Sequence, residues 1–277
     1  MGLRIRTNIA SQEVQKNLRD ATKNSNAELA KLSSGKRITK AADDAAGMAI
    51  ANKLDVQVRG LRQAARNAND GISLIQTAEG GLSESSNILV RLRELTVQAA
   101  SDTLGDAERE FLNMEYQALV EEVDRIAQST TFNGAHLLNG ESETGTMDFH
   151  VGTFNQEVDK IQFEAEETDA SSSNIGIEGT AINSKEDAND AMENLDEAIS
   201  KISGHRAKLG GIQSRLQSTS SNLEIQAVNQ DSAKSMIIDT DIAASAARLA
   251  SANVQQQAGI STLAQANSIP NSALRLL

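Results

Sequence analysis

Two stretches of the chain repeat apolar residues every seven positions. Leu54, Leu61, Ala68, Ile75, Leu82 and Leu89 form one series, with Val58, Ala65 and Ile72 at the alternate spacing. Leu195, Ile202, Leu209, Leu216 and Leu223 form another, with Ile199 and Ile212 beside it. A seven-residue repeat drifts slowly around a straight α-helix, so it stays buried only when the helix supercoils on a partner. Two such series in one chain predict that they pack on each other. The first helix is expected from Asp43-Asp44, whose carboxylates suit a helix N-terminus, to about Ala100. At about 1.5 Å per residue that is a rod of roughly 85 Å.

"SDTLGDAERE" (residues 101–110) breaks this helix, with Gly105 at the turn and Asp106 as a cap. A shorter helix follows, with Phe111, Met114, Leu119, Val123 and Ile126 expected on its apolar side. "FNG" and "LNG" then mark turns. Between residues 147 and 167 the period falls to two. Phe149 and Val151, then Ile161, Phe163 and Ala165, alternate with polar residues, which predicts two strands of a hairpin. "DASSSN" (169–174) reads as loop. Ser184 and Asp187 have capping-box spacing and open the second long helix, expected to reach about Ser235. The fold class is therefore mainly α: an antiparallel coiled-coil rod built from the two halves of the chain, with a small β-hairpin region in the middle.

The ends are thinner. Leu3, Ile5, Ile9, Val14, Leu18, Leu29 and Leu32 are sparse at helical spacing, as are Ile242, Leu249, Val254, Ile260, Leu263, Ile269, Leu274, Leu276 and Leu277. So few large side chains would not hold a lone pair of terminal helices against the conformational entropy of ordering it. The ends are expected to be disordered in the monomer and to order against neighbouring subunits.

Composition sharpens this picture. There is no tryptophan and one tyrosine, and every aromatic lies between residues 111 and 163. The flanks have only aliphatic residues and alanine to bury, which favours long helices with a narrow seam. The only proline is Pro270, so long helices run uninterrupted before it. Cysteine is absent, which excludes disulfide and thiolate chemistry. The net charge of -12 is uneven. Residues 1–42 carry nine Lys/Arg against three acids, and residues 141–197 carry sixteen acids against Lys160 and Lys185. The basic end lacks aromatics for base stacking, so nucleic-acid binding is not expected.

No catalytic or ligand-binding constellation stands out. "SSGKR" (33–37) lacks a P-loop's spacing: Ala30 stands where the first glycine belongs, and Arg37 follows Lys36 in place of Ser or Thr. It reads as a joint between helices. His136, His150 and His205 are far apart and lack partners at metal-ligand spacing. The acids Glu164, Glu166, Glu167 and Asp169 lack the glycine turn of a calcium loop. No nucleophile–base pair is evident, so neither enzyme activity, cofactor nor metal is expected. No apolar run is long enough to cross a bilayer. Arg4 and Arg6 are not followed by an apolar core, so no cleavable leader is expected, and Arg6 breaks the myristoylation motif begun by Gly2.

Several long segments carry a family resemblance. "LSSGKRITKAADDAAGMAIANKL" (32–54) is similar to the N-terminal signature of bacterial flagellin. "MGLRIRTNIAS" (1–11) resembles its start, "ISLIQTAEGGLSESSNILVRLRELTVQAASDT" (72–103) its first long helix, and "EVDRIAQSTTFNGAHLL" (122–138) the segment after its second helix. "RAKLGGIQSRLQSTSSNLE" (206–224) and "ANVQQQAGISTLAQAN" (252–267) resemble its C-terminal core. The resemblance implies a secreted structural subunit that self-assembles into the extracellular filament of the bacterial flagellum, for motility. A filament-junction protein of the same apparatus and a secreted coiled-coil effector are the alternatives.

It also implies an organisation. Residues 1–42 and 242–277 would be terminal helices of an inner filament tube. Residues 43–140 and 184–241 would be the coiled-coil core. Residues 141–183 would be a short hairpin and loop in place of large outer domains. Leu3, Ile5, Ile9, Ile242, Leu249, Ile260 and Leu263 would be terminal polymerisation contacts. The implied partners are further copies of the chain, the flagellar export apparatus and an export chaperone on the C-terminal tail. An innate-immune Toll-like receptor would contact Arg91, Leu95 and Glu115. Val90 stands where that receptor motif commonly has glutamine.

Overall fold

The computed structural model describes residues 7–140 and 146–274. Its elements are α1 (Ile9–Ser34), α2 (Ala45–Ala99), α3 (Asp106–Ser129), β1 (Thr131–Phe132), β2 (Ala135–His136), β3 (Thr146–His150), β4 (Lys160–Glu164), α4 (Ser172–Ile175), α5 (Lys185–Ile238) and α6 (Ile242–Leu274). They fall into two compact units. Val58–Ala227 form one; the described residues up to Gln57 form the other, together with those from Val228.

The unit spanning Val58–Ala227 is built on the seven-residue repeats. Leu61, Ala68, Ile75, Leu82 and Leu89 of α2 are buried, as are Leu195, Ile202, Leu209, Leu216 and Leu223 of α5. Flanking polar pairs fix the direction. Arg93 pairs with Asp196 at 2.5 Å, Glu79 with Arg206 at 3.8 Å, and Ser220 donates to Asn69 at 3.4 Å. Residue numbers fall along α2 as they rise along α5, so the two helices are antiparallel. The buried face of α2 is wider than one seam. Ala64, Leu74, Ala78, Ile88, Leu92, Leu95 and Ala99 are buried too, because α2 also supports α3 and the hairpins.

α3 differs from expectation in its apolar face. Phe111 and Met114 are 67% and 57% exposed, and the buried side is Tyr116, Val120, Val123, Ile126 and Ala127. Position 116 is one helical turn from Val120, whereas 111 and 114 point off that face. Gly105, not Asp106, is the N-cap residue, and it has no side-chain cap. Asp106 instead pairs with Arg109 at 3.1 Å. Arg109 is buried, and its guanidinium donates to the carbonyls of Ala99 and Ser101. A cation thus caps the C-terminal end of α2, where the helix dipole favours it.

After α3 the chain makes two hairpins. β1 and β2 are joined by Asn133 (φ 51°) and Gly134 (φ 83°), the two left-handed positions of a tight two-residue turn. The "FNG" signal therefore marks a hairpin as well as a turn. β3 and β4 pair antiparallel, with Met147 opposite Phe163 and Phe149 opposite Ile161. Ile161, Phe163, Ala165 and Val151 are buried, as a period of two demands. Gly71 of α2 lies under this hairpin: a Cβ there would meet the Phe149 ring at 3.0 Å.

Residues 169–174 are not all loop, since Ser172–Ile175 form the single turn α4. Asp124 of α3 holds its start by accepting from the Ser172 backbone N–H and hydroxyl, both at 2.7 Å. Farther along, Asn113 accepts from Ile182 N–H and Gln117 donates to the Thr180 carbonyl. The Thr180 hydroxyl donates to Ile177 O at 2.7 Å, so the fully buried Tyr116 donates its own proton to Thr180 Oγ1 at 2.7 Å. Ser184 and Asp187 form the reciprocal capping box at the start of α5, and α5 continues to Ile238, past the expected Ser235.

Tyr116→Phe keeps the ring and deletes this hydrogen bond. It should lower the stability of the unit by about 1 kcal/mol, read as a lower urea midpoint at unchanged slope. Tyr116→Ala should cost about 3–5 kcal/mol.

Candidate functional site: the paired seams and their joints

In the unit formed by the two ends, α1 lies antiparallel to α6. Asn8 Nδ2 donates to Ala266 O at 2.9 Å, Ser11 Oγ to Asn267 Oδ1 at 2.8 Å, and Ser25 Oγ to Asn253 Oδ1 at 3.1 Å. The inward positions of α1 are Ser11, Val14, Leu18, Ala21, Ser25, Glu28 and Leu32. Those of α6 are Ser245, Leu249, Ala252, Gln256, Gly259, Leu263 and Ala266. Both series alternate steps of three and four, which is the heptad seam of a coiled coil. Large apolar residues alone do not reveal it, because serine, alanine, glycine, glutamine and glutamate occupy most of its positions. The readable signal was Leu18 and Leu32, and Leu249 and Leu263, each pair two heptads apart. The seam brings the helices close: a Cβ on Gly259 would stand 3.3 Å from Leu18 Cδ1.

The joints between the helices are paired with each other. Arg37 N–H donates to Ile238 O at 2.6 Å and Thr240 N–H to Gly35 O at 3.0 Å. The Arg37 guanidinium donates to Ile237 O, also at 2.6 Å. Gly35 ends α1 in the left-handed region (φ 68°), where glycine is favoured. The two aspartates divide the work. Asp43 accepts from the backbone N–H groups of Thr39 and Lys40 and from the Thr39 hydroxyl, and these bonds hold its carboxyl below the usual range. Asp44 caps α2 by accepting from Gly47 N–H at 2.8 Å. Ile38 is buried beneath this turn, and a Cβ at Gly47 would come within 2.9 Å of Ile38 Cδ1.

The other expected site residues are placed as follows. Leu54 is half-buried, as are Ile72 and the flanking Ile199 and Ile212, whereas every other expected seam residue is buried. Leu3 and Ile5 lie outside the described residues. Ile9, Ile242 and Ile260 are exposed, and Leu249 and Leu263 sit in the α1–α6 seam. Arg91 is exposed and pairs with Glu115 at 2.8 Å and with Glu94 at 3.0 Å. These hydrogen bonds, the one to Glu115 foremost, raise the Arg91 pKa above its usual value. Leu95 is 1% exposed, within the core. The surface offered here is thus an ion-paired triplet, with Leu95 beneath it.

Two further titratable groups mark packing. The Glu28 carboxyl is held below the usual range, chiefly by its 2.8 Å bond from Lys31. The His205 imidazole is pushed below 6.5, chiefly by burial, against a bond to the Glu167 backbone; Lys208 also lowers it, while the Asp169 and Glu167 charges raise it. Among the described residues, no cluster of three or more His, Cys, Asp and Glu could hold a metal ion. No described helix is long and apolar enough to cross a membrane.

Paired seams, polar joints and exposed aliphatic side chains define a helical coiled-coil structural protein. The model of the bacterial flagellin N-terminal helical region matches residues 5–143, and that of the bacterial flagellin C-terminal helical region matches residues 192–277. A flagellar filament core protein of Brachyspira hyodysenteriae, flaB2, is 39% identical, the match covering 99% of both chains. Polar flagellin F of Vibrio parahaemolyticus is 44% identical over 61% of this chain, which spans only 44% of that longer relative. The crystal structure of Bacillus cereus flagellin superposes with a TM-score of 0.51 at 29% identity, covering 61% of this chain and 94% of that one. The chain belongs to the bacterial flagellin family, and it lacks the large middle domain of longer members.

Leu209→Asp places a charge in the buried α5 seam and should destabilise by about 3 kcal/mol or more, measured by urea unfolding. The His205 shift gives a second expectation. A folded pKa below the unfolded one means that the unfolded chain binds more protons between the two values. Stability from neutral His205 is therefore complete above about pH 6.5 and is lost as pH falls toward the folded pKa. Melting followed from pH 7.5 to 5 should show this decline, and His205→Gln should remove that part of it.

Proposed function

We infer that this chain is a structural subunit that self-assembles into the helical filament of the bacterial flagellum, outside the cell, and serves motility. The carrying observation is the match to both conserved helical regions of flagellin, together with a full-length relative named as a filament core protein. A filament-junction role is not favoured, because both matching regions are those of flagellin. The role is structural, not enzymatic.

Exposed apolar surface supports the reading. In the unit made of the two ends, Ile9, Leu29, Ile50, Val56, Val228, Met236, Ile242, Val254 and Ile260 are all exposed. So many large aliphatic side chains on about a hundred residues suit an element that neighbours cover. The α1–α6 seam is built mostly from small and polar residues, so it is a weak pair by itself. Residues 1–42 and 242–277 are therefore assigned to an inner tube and order on assembly. Residues 43–140 and 184–241 form the surrounding layer, and residues 141–183 its outer hairpin. Ile9, Ile242 and Ile260, with Leu3 and Ile5, supply the terminal polymerisation contacts, whereas Leu249 and Leu263 pack within the α1–α6 seam.

Membership of the family supports proposing further partners. The chain leaves the cell through the flagellar export apparatus, and a chaperone covers the tail from Ile242 onward until then. A Toll-like receptor docking on α2 and α3 meets Arg91 and Glu115, with Leu95 supporting them from below.

Protein that is heated, cooled and seeded should pellet as long fibres under electron microscopy; soluble monomer alone under seeding and salting would refute the reading. Amide exchange on the monomer should show little protection across residues 7–35 and 245–274, and strong protection only after assembly.

A further inference from the structure

The α1–α6 seam raises a question of register. Alanine, glycine and serine fill most of the seam, so once the backbone pairs at the joints open, little beyond Leu18 seated on Gly259 opposes a slide by one heptad. Yet the observed contacts are specific. Polar rungs cross the seam at several levels: Ser11 to Asn267, Gln256 to Thr22, and Ser25 to Asn253.

The last rung is of a different kind. Glu28 is a carboxylate at an inward heptad position, only 9% exposed. Oε1 accepts from Lys31 Nζ, one turn on along the same helix, at 2.8 Å. Oε2 makes no hydrogen bond of its own, and across the seam Arg248 Nε stands 3.9 Å from it. Arg248 is steered there by its own partners, donating from Nη2 to Ser245 Oγ at 3.3 Å and from Nε to Ala244 O at 3.3 Å. Ser245 is fully buried beside it and shares a hydrogen bond with Thr240 of the joint. α6 carries no other cation among its described side chains. A slide of one heptad that brings Ala266 opposite Leu18 therefore leaves Glu28 opposite Ala252 and Gln256, with no cation across the seam.

We propose that Glu28 is the register-determining residue of the α1–α6 coiled coil, and that it selects the single alignment that brings Arg248 across the seam within the same chain. A buried charge of this kind costs stability and rejects alternatives, since losing the Arg248 cation leaves the Oε2 edge desolvated, with Lys31 on Oε1 alone. Its role is to discriminate between alignments, while holding the helices together falls to the leucines. The inference rests on the filament reading only for the conditions of its test.

The chain contains no cysteine, so introduced pairs report alignment without interference. The Cβ of a residue at 259 lies 3.9 Å from Leu18 Cβ, a separation that suits a disulfide. Leu18→Cys with Gly259→Cys thus reads the observed register, and Leu18→Cys with Ala266→Cys reads a shift of one heptad toward the C-terminal end of α6. Each pair is placed in the full chain with Glu28 retained, with Glu28→Leu and with Glu28→Gln. All are oxidised under polymerising conditions, and intrachain disulfide is measured on non-reducing gels. With Glu28 retained, only the observed-register pair should close. With Glu28→Leu, the shifted pair should rise from background to a yield comparable with the observed one, while melting of the helices stays equal or moves higher. Glu28→Gln, still polar, should keep the observed register dominant.

Closure of the observed pair alone in Glu28→Leu overturns the proposal. Loss of both disulfides there makes Glu28 a simple stabilising contact and overturns it as well. An interchain dimer from the observed pair overturns its within-chain part. Pelleting of the parent chain is scored separately, so failure of the filament reading is told apart from failure of this one.

Discussion

The fold depends on one requirement: an aliphatic stripe that recurs every seven residues must be covered along its whole length. In the unit spanning residues 58–227, the stripe on α2 is met by an equivalent stripe on α5 running the opposite way. Other features there serve that contact. Arg109 closes the end of α2 with side-chain hydrogen bonds where the helix must stop. α3 and the two hairpins cover the second side of α2, which one partner helix cannot reach. Polar stitches from Asn113, Gln117 and Asp124 then bind the returning chain to α3, so that α5 starts where its stripe is needed.

The same repeat appears in the pair of ends with different contents. There the seam holds mostly small and polar residues, and Ile9, Leu29, Ile242, Val254 and Ile260 stand outside it. The first kind of seam stabilises a chain by itself. The second brings two backbones close together and leaves its apolar surface for neighbours. Such a division suits a filament subunit, in which neighbouring copies cover what one chain leaves exposed.

Much of this was legible in the residues. Leucine and isoleucine at strict spacing located α2 and α5, and alternation located β3 and β4, because in each case the buried side chains are large. Legibility failed where packing is done by other means. The α1–α6 seam uses serine, glycine and glutamate, which carry no hydropathy signal. α4 is a single turn held by one carboxylate 48 residues away in sequence. Phe111 and Met114 look like core and are not, since hydropathy alone does not say which face of a helix has a neighbour. The roles of Asp43 and Asp44 also could not be separated until the turn was seen, one serving the joint and the other the helix.

The backbone bridge between the joints has a kinetic consequence. Arg37 and Ile237, 200 residues apart, are tied by a hydrogen bond, so α1 and α6 leave the joints from adjacent points. The roots of the two helices are thus tethered at a high effective concentration, and closing their seam is a unimolecular zipping that starts at the tether. A helix offered by another molecule must compete from dilute solution. Replacing the Arg37 side chain removes only the guanidinium bond, and the backbone pairs Arg37–Ile238 and Thr240–Gly35 keep the advantage of the molecule's own partner over a stranger's.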